Sequence, residues 1–165
     1  MNKIGIIGHG PDRFSDCDKI KRGIENTLDL LNAQYSNNVV FNIKADIGIG
    51  LWAGEACLRK EYKYNLYLPF SLEKSGEFWY EDQKNLLESL YGSANAITIC
   101  NQSQTQAVDP VFQLIEHSNF IVCWWIGNKS GPIPDAINYS LSNNIMVLHA
   151  LENLRMITGQ DLIKR

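Results

Sequence analysis

The sequence predicts an α/β fold, a three-layer αβα sandwich around a mostly parallel sheet of about six strands. Short apolar runs alternate with segments of helical period along the whole chain, which is the pattern of a sheet covered by helices on both faces. Glycine and proline mark most of the junctions between them. The 165 residues, 45% hydrophobic and 20% charged, suffice for one compact domain over residues 1–165 and are too few for two ordinary ones.

The first strand is Lys3 to Gly8, followed by a turn with Gly10 and Pro11. A helix then begins near Ser15 or Asp16 and carries Ile20, Ile24, Leu28 and Leu31 on one stripe. Val39 to Ala45 forms the second strand; it leads to Gly48 and Gly50 and then to a helix over Leu51 to Tyr62. The third strand, Tyr64 to Leu68, is closed by Pro69. A polar loop containing Trp79 and a helix around Glu81 to Tyr91 lead to the fourth strand, Ala96 to Cys100. After the amide-rich loop Asn101 to Ala107, Asp109 reads as an N-cap with Pro110 at the first helical position, opening a helix to about His117. The fifth strand, Phe120 to Trp125, is almost wholly apolar and belongs in the middle of the sheet. A turn-rich loop, a helix about Asp135 to Ser142, a last strand Ile145 to His149 and a helical tail complete the chain.

Fifteen Lys and Arg against eighteen Asp and Glu give a net charge of −3. No global positive field draws in a polyanion, so nucleic acid is a possible partner that the charge does not favour. No window approaches the roughly 18 to 20 apolar residues of a membrane span, and the first apolar run, Ile4 to Ile7, is too short for a signal peptide. A cytoplasmic protein without membrane attachment is expected. The four cysteines, Cys17, Cys57, Cys100 and Cys123, form no CxxC pair, so neither a disulfide framework nor a metal site is expected.

In an open α/β sheet, ligands settle at the carboxyl ends of the strands, where helix N-termini expose amides and glycines let the backbone come close. Four such ends carry unusual loops: Gly8 to Arg13, Gly48 to Gly50, Pro69 and Phe70, and Gly127 to Pro134. Gly8 and Gly10 begin a GxGxxG pattern whose third glycine is replaced by Arg13; they serve either a positive-φ turn or approach to a phosphate. Arg13 beside a helix start offers a bidentate phosphate fork. His9 is either a local hydrogen-bond partner or an acid–base group. Glu55, about a turn into its helix, is either a solvated residue favoured by the macrodipole or a carboxylate for ribose hydroxyls or an oxocarbenium-like centre. Trp52, Phe70, Trp79, Trp124 and Trp125 could sandwich a base, although a tryptophan within an apolar run usually buries. No Ser-His-Asp arrangement, HExxH or Walker loop can be assembled.

GHGPDRF (Gly8 to Phe14), GIGLWAGEA (Gly48 to Ala56), the Pro69-Phe70 strand end and HSNFIVCWWIGNKSGPIPDAINYS (His117 to Ser140) occur in the order and spacing of a known group. The chain resembles the YpsA-type proteins of the SLOG superfamily, related to the DprA/Smf and LOG (lysine decarboxylase-like) families, from residue 4 to about residue 150. The resemblance implies a Rossmann-like domain that binds a nucleotide or nucleotide-derived ligand, usually within a homodimer or larger assembly. Carried over by position, the ligand set is Gly8, His9, Arg13, Gly48, Gly50, Glu55, Pro69, Gly127 and Gly131. Gly131-Pro132-Ile133 stands where that group has Gly-Gly-Thr, Ile126 replaces its aspartate, and the PGGxGTxxE motif of the LOG enzymes is absent. Pro132 and Pro134 also remove two amide donors.

A nucleotide-derivative binding protein is therefore expected, with a nucleotide-like small molecule as partner and no further cofactor. Two alternatives accompany it. One is an N-glycosidase or deoxyribosyltransferase-like enzyme in which Glu55 is nucleophile or cation stabiliser and His9 assists the leaving base. The other is a non-catalytic interaction module with a vestigial pocket and an exposed Trp124 or Trp125 patch.

Overall fold

The computed structural model describes residues 1–101 and 108–163. Seven strands form one sheet: β1 (Asn2–Gly8), β2 (Val39–Lys44), β3 (Tyr64–Leu68), β4 (Ala96–Ile99), β5 (Phe120–Trp124), β6 (Met146–His149) and β7 (Arg155–Met156). Their order is β4-β3-β2-β1-β5-β6-β7, parallel throughout except for the β6–β7 pair. The chain adds β2, β3 and β4 on one side of β1, then crosses back to place β5 against β1 on the other. Consecutive strands therefore diverge at β1 and β5, the topological switch point.

Alternation along β1 divides the core. Ile4 and Ile6 face the layer formed by α1 (Cys17–Gln34), α2 (Ile49–Lys60) and α4 (Glu81–Ser93), where they join Ile24, Leu28, Phe41, Leu66 and Leu90. Ile7 faces the opposite layer, α5 (Val111–Glu116) and α6 (Pro132–Ser142), with Leu114, Ile121, Ile137 and Val147. β5, buried at every position, lies against β1 and β6. Both tryptophans at its end are buried, Trp124 at 1% and Trp125 at 2% exposure, so they form no surface patch.

Several elements differ from expectation. α2 starts at Ile49, two residues early, because Gly48 at φ 111° makes the sharp entry. α6 starts at Pro132 rather than near Asp135: Gly131 at φ 112° turns the chain, and proline suits the first helical position, whose amide has no partner within the helix. The expected helical tail is instead β7 and a 3-10 turn at Gly159–Leu162, which raises the strand count from about six to seven. Asn153 and Leu154, with φ of 52° and 56°, reverse the chain after β6. Ile157 then buries against the α6 layer, and that burial outweighs local helix propensity. The polar loop after Phe70 also holds a short helix, α3 (Leu72–Ser75), capped by Ser71. Most of the amide-rich loop, residues 102–107, lies outside the described residues.

A row of amides crosses this hydrocarbon. Asn95 Nδ2 donates to Asn65 Oδ1 at 3.1 Å, and Asn65 Nδ2 donates to Asn42 Oδ1 at 2.9 Å. Asn42 Nδ2 donates to Ser118 Oγ at 2.9 Å and to the His117 carbonyl at 3.2 Å. Asn42 and Asn65 are direct register partners on β2 and β3. Gly5, the β1 partner of Asn42, leaves the space: a Cβ there would lie 2.8 Å from both Leu114 and the Ser118 hydroxyl.

Candidate functional site

A cavity of about 260 Å3 opens at the switch point. Ile6, Ile7, Val111, Ile133 and Ala136 make an apolar wall, and its polar groups come from two strand ends and the approach to α5. His9, Asp12 and Arg13 belong to the loop after β1, where Pro11–Arg13 forms a 3-10 turn. Lys44 and Asp46 stand at the end of β2, and Asp109 lies two residues before α5, whose N-cap is Pro110 rather than the expected Asp109.

Gly8 and Gly10 line the cavity without positive φ, which rules out the turn explanation for both. Gly8 is required by close packing, since a Cβ would lie 2.5 Å from Ile49 and 2.9 Å from Trp124. Gly48 packs the second loop onto the first: a Cβ there would meet Gly10 Cα and the His9 carbonyl at 2.8 Å. Gly50 lets the helix start rest on the end of β2, where a Cβ would lie 2.0 Å from the Lys44 carbonyl. Gly50 N donates to Asp46 Oδ1 at 3.2 Å, Leu51 N to the Asp46 carbonyl at 3.0 Å, and Ile49 N to the His9 carbonyl at 3.4 Å. The opening amides of α2 are thus engaged within the protein, and α6 begins Pro-Ile-Pro with two donors missing. The helix-amide cradle that the sequence suggested for an anion is not built at either helix.

Charge is supplied by side chains instead. Lys44 Nζ lies 2.9 Å from Asp109 Oδ1 and 3.6 Å from Asp46 Oδ2. Asp109 Oδ1 also accepts from the Val111 amide at 2.9 Å, fixing the entry to α5. Desolvation in the cavity wall pushes the Asp46 carboxyl up to about 6, with Asp109 adding to the rise and Lys44 opposing it. Burial works to lower Lys44, but its two carboxylates outweigh burial and hold the ammonium above its ordinary value. His9 is buried, and its Nε2 accepts from the Ile126 amide at 3.3 Å, which assigns the proton to Nδ1. Burial first, then the Arg13 guanidinium, lowers its pKa and keeps the ring neutral at pH 7. Arg13 is exposed along the cavity lining.

The structure brings together Gly8, His9, Gly10, Arg13 and Gly50 and leaves the other expected residues elsewhere. Glu55 is exposed on α2, in a separate groove with Lys21, Trp52 and Asp82, so it does not meet His9. Gly48 lines that same groove. Gly127 lines a depression between the ends of β5 and β6, Gly131 turns the chain into α6, and Pro69 lines a depression next to the cavity. The sequence singles out neither Lys44 nor Asp46, and it marks Asp109 only as a helix cap. The one available signal was a carboxylate two residues past a strand and four before a helical glycine.

A polar end of two carboxylates and an ammonium can accept and donate hydrogen bonds to hydroxyl or amino groups. The apolar wall accommodates a ring, and Arg13 can meet an anion.

No known family model matches the chain, and no curated protein matches it either. Its fold is similar to that of the molybdenum cofactor binding protein from the phototrophic bacterium Rippkaea orientalis, with a TM-score of 0.58 and 12% identity over 90% of this chain and 75% of that one. It is also similar to DNA processing protein A (DprA) from Streptococcus pneumoniae, with a TM-score of 0.55 and 12% identity over 93% of this chain. The match spans about half of DprA, 53% of its chain. At this identity the likeness carries the Rossmann-like fold alone.

Proposed function

We propose that this chain binds a nucleotide derivative at the switch-point cavity, with sugar or base inward and phosphate outward at Arg13. One observation carries the reading: a single cavity is lined by an exposed guanidinium, by aliphatic side chains and by the Lys44–Asp46–Asp109 cluster. Carboxylates beside Lys44 repel a phosphate and accept from hydroxyl or amino groups, so the anion belongs at Arg13. A space of about 260 Å3 fits a nucleoside better than a complete dinucleotide. The molybdenum cofactor binding protein is a small-molecule binder of similar fold, which is consistent with this use of the architecture. The same reading takes the chain as one YpsA-like domain of the SLOG kind, cytoplasmic and homo-oligomeric. Glu55 and His9 lie in different depressions, and the hydrolase alternative is not taken up.

The test is calorimetric titration with a nucleoside and its 5′-monophosphate. The monophosphate should bind more tightly, and Arg13→Ala should weaken it roughly 10-fold while leaving the nucleoside within twofold. If neither compound binds or raises Tm at millimolar concentration, the proposal fails.

A further inference from the structure

After β6 the chain reverses and lays β7 and the Gly159–Leu162 turn back against the layer of α5 and α6. We propose that this C-terminal return is a pH-operated strap, fastened while the His149 ring is neutral and released when that ring becomes a cation.

His149 ends β6 and is 5% exposed. Its carbonyl accepts from the amides of Glu152 at 3.2 Å and Leu154 at 2.9 Å, which shapes the reversal. Its ring lies against Trp125, with centroids 5.7 Å apart, and its Nε2 stands 2.9 Å from Glu152 Oε2. A carboxylate only accepts, so Nε2 carries the proton and Nδ1 is the bare nitrogen. Nδ1 is buried without a hydrogen-bond partner. The neutral ring tolerates that position. The cation does not, because a second N–H would be buried on a charged group with nothing to accept it.

The same contact holds the strap. Glu152 Oε2 also accepts from Arg155 Nε at 3.0 Å, and Arg155 donates to both carboxylate oxygens of Asp161. One line of contacts thus runs from the end of β6 to the last turn, and Lys129 of the β5–α6 loop fastens that turn at the Asp161 carbonyl. Among the described residues, Lys129, Glu152, Arg155 and Asp161 are the charged groups that share a depression with His149. β5 carries none, and the one on α6, Asp135, is exposed. Burial lowers the His149 pKa from the ordinary 6.5 and Arg155 adds to the fall, outweighing Glu152 and Asp161, which favour the cation. The depression, about 370 Å3 and lined by the ring itself, gives the cation a way out to water. When the ring leaves, it gives up both Trp125 and its contact with Glu152. β7, joined to β6 at only two register pairs, has little else to hold it to the sheet.

A ring whose pKa is lowered in the closed strap and ordinary in the open one fastens the strap fully above pH 6.5 and loses its hold as pH falls below that value. Amide hydrogen exchange over residues 155–162 of the intact chain reads the opening without any ligand, so its outcome is independent of the nucleotide reading. Protection, corrected for the intrinsic rate at each pH, should fall roughly fivefold from pH 7.5 to 5.5, under the ceiling of about tenfold that one proton sets. His149→Gln keeps a donor for Glu152 and cannot titrate, so its protection should change by less than about twofold. No loss in the unsubstituted chain, or an equal loss in His149→Gln, overturns the strap. If His149→Gln does not fold, the imidazole proton resonance of His149 in the unsubstituted chain decides: a midpoint below 6.5 together with the loss of protection upholds the strap, and a midpoint at or above 6.5 overturns it.

Discussion

Asp46 combines two local roles. One carboxylate oxygen takes the amide of Gly50 and fixes the start of α2, while the other leans toward Lys44. Its carboxyl, at about 6, holds a proton more tightly in the folded chain than in the unfolded one, where the ordinary value is 3.8. A raised carboxyl pKa contributes stability that is complete below pH 4 and is lost as pH rises toward and through 6. Asp46→Asn keeps an oxygen for Gly50 and removes the titration. The difference in Tm, variant minus wild type, should therefore climb between pH 4 and pH 7 in scanning calorimetry; a flat or falling difference would contradict the assignment. His9, Arg13 and the neighbouring glycines were legible because they follow an apolar run within a few residues. The Lys44–Asp109 contact was not, because it joins positions 65 apart in sequence and a lone lysine or aspartate carries no local pattern.

At the scale of elements, hydrophobic period and breakers located all six parallel strands and every helix of more than four residues among the described residues, with no end displaced by more than three residues. The larger errors share a cause. The C-terminal segment, with helix formers after β6, becomes a two-residue strand because a tertiary contact outweighs propensity there. Arg155 holds that segment, donating to both carboxylate oxygens of Asp161 at 3.1 and 3.0 Å and to Glu152 at 3.0 Å through Nε. Arg155 and Glu152 are exposed, so Arg155→Ala should leave the global Tm nearly unchanged. Amide hydrogen exchange over residues 155–162 should nonetheless accelerate roughly fivefold or more, since local opening costs less than unfolding. Unchanged exchange there would show that Ile157 alone anchors the segment.

Across the whole molecule, the sheet separates two apolar layers that share its strands. Phe41, fully buried in the layer of α1, α2 and α4, sits one residue from Asn42, whose side chain reaches the α5 side. Phe41→Ala should cost about 3–5 kcal/mol. Urea unfolding followed by tryptophan emission and by far-UV dichroism should still give one coincident transition, because neither layer keeps its sheet without the other. Two separated transitions would show that the layers unfold independently. The fold class followed from pattern alone, whereas the amide row did not, because Asn42 on β2, Asn65 on β3 and Asn95 just before β4 meet only after the strands pair. That row also constrains how the sequence can drift. Replacing Asn42 or Asn65 by an aliphatic residue strands its neighbour's polar atoms in hydrocarbon, so positions 42 and 65 must change in concert or not at all, and a homologue that has lost one is expected to have lost both, whereas water can replace the exposed Asn95.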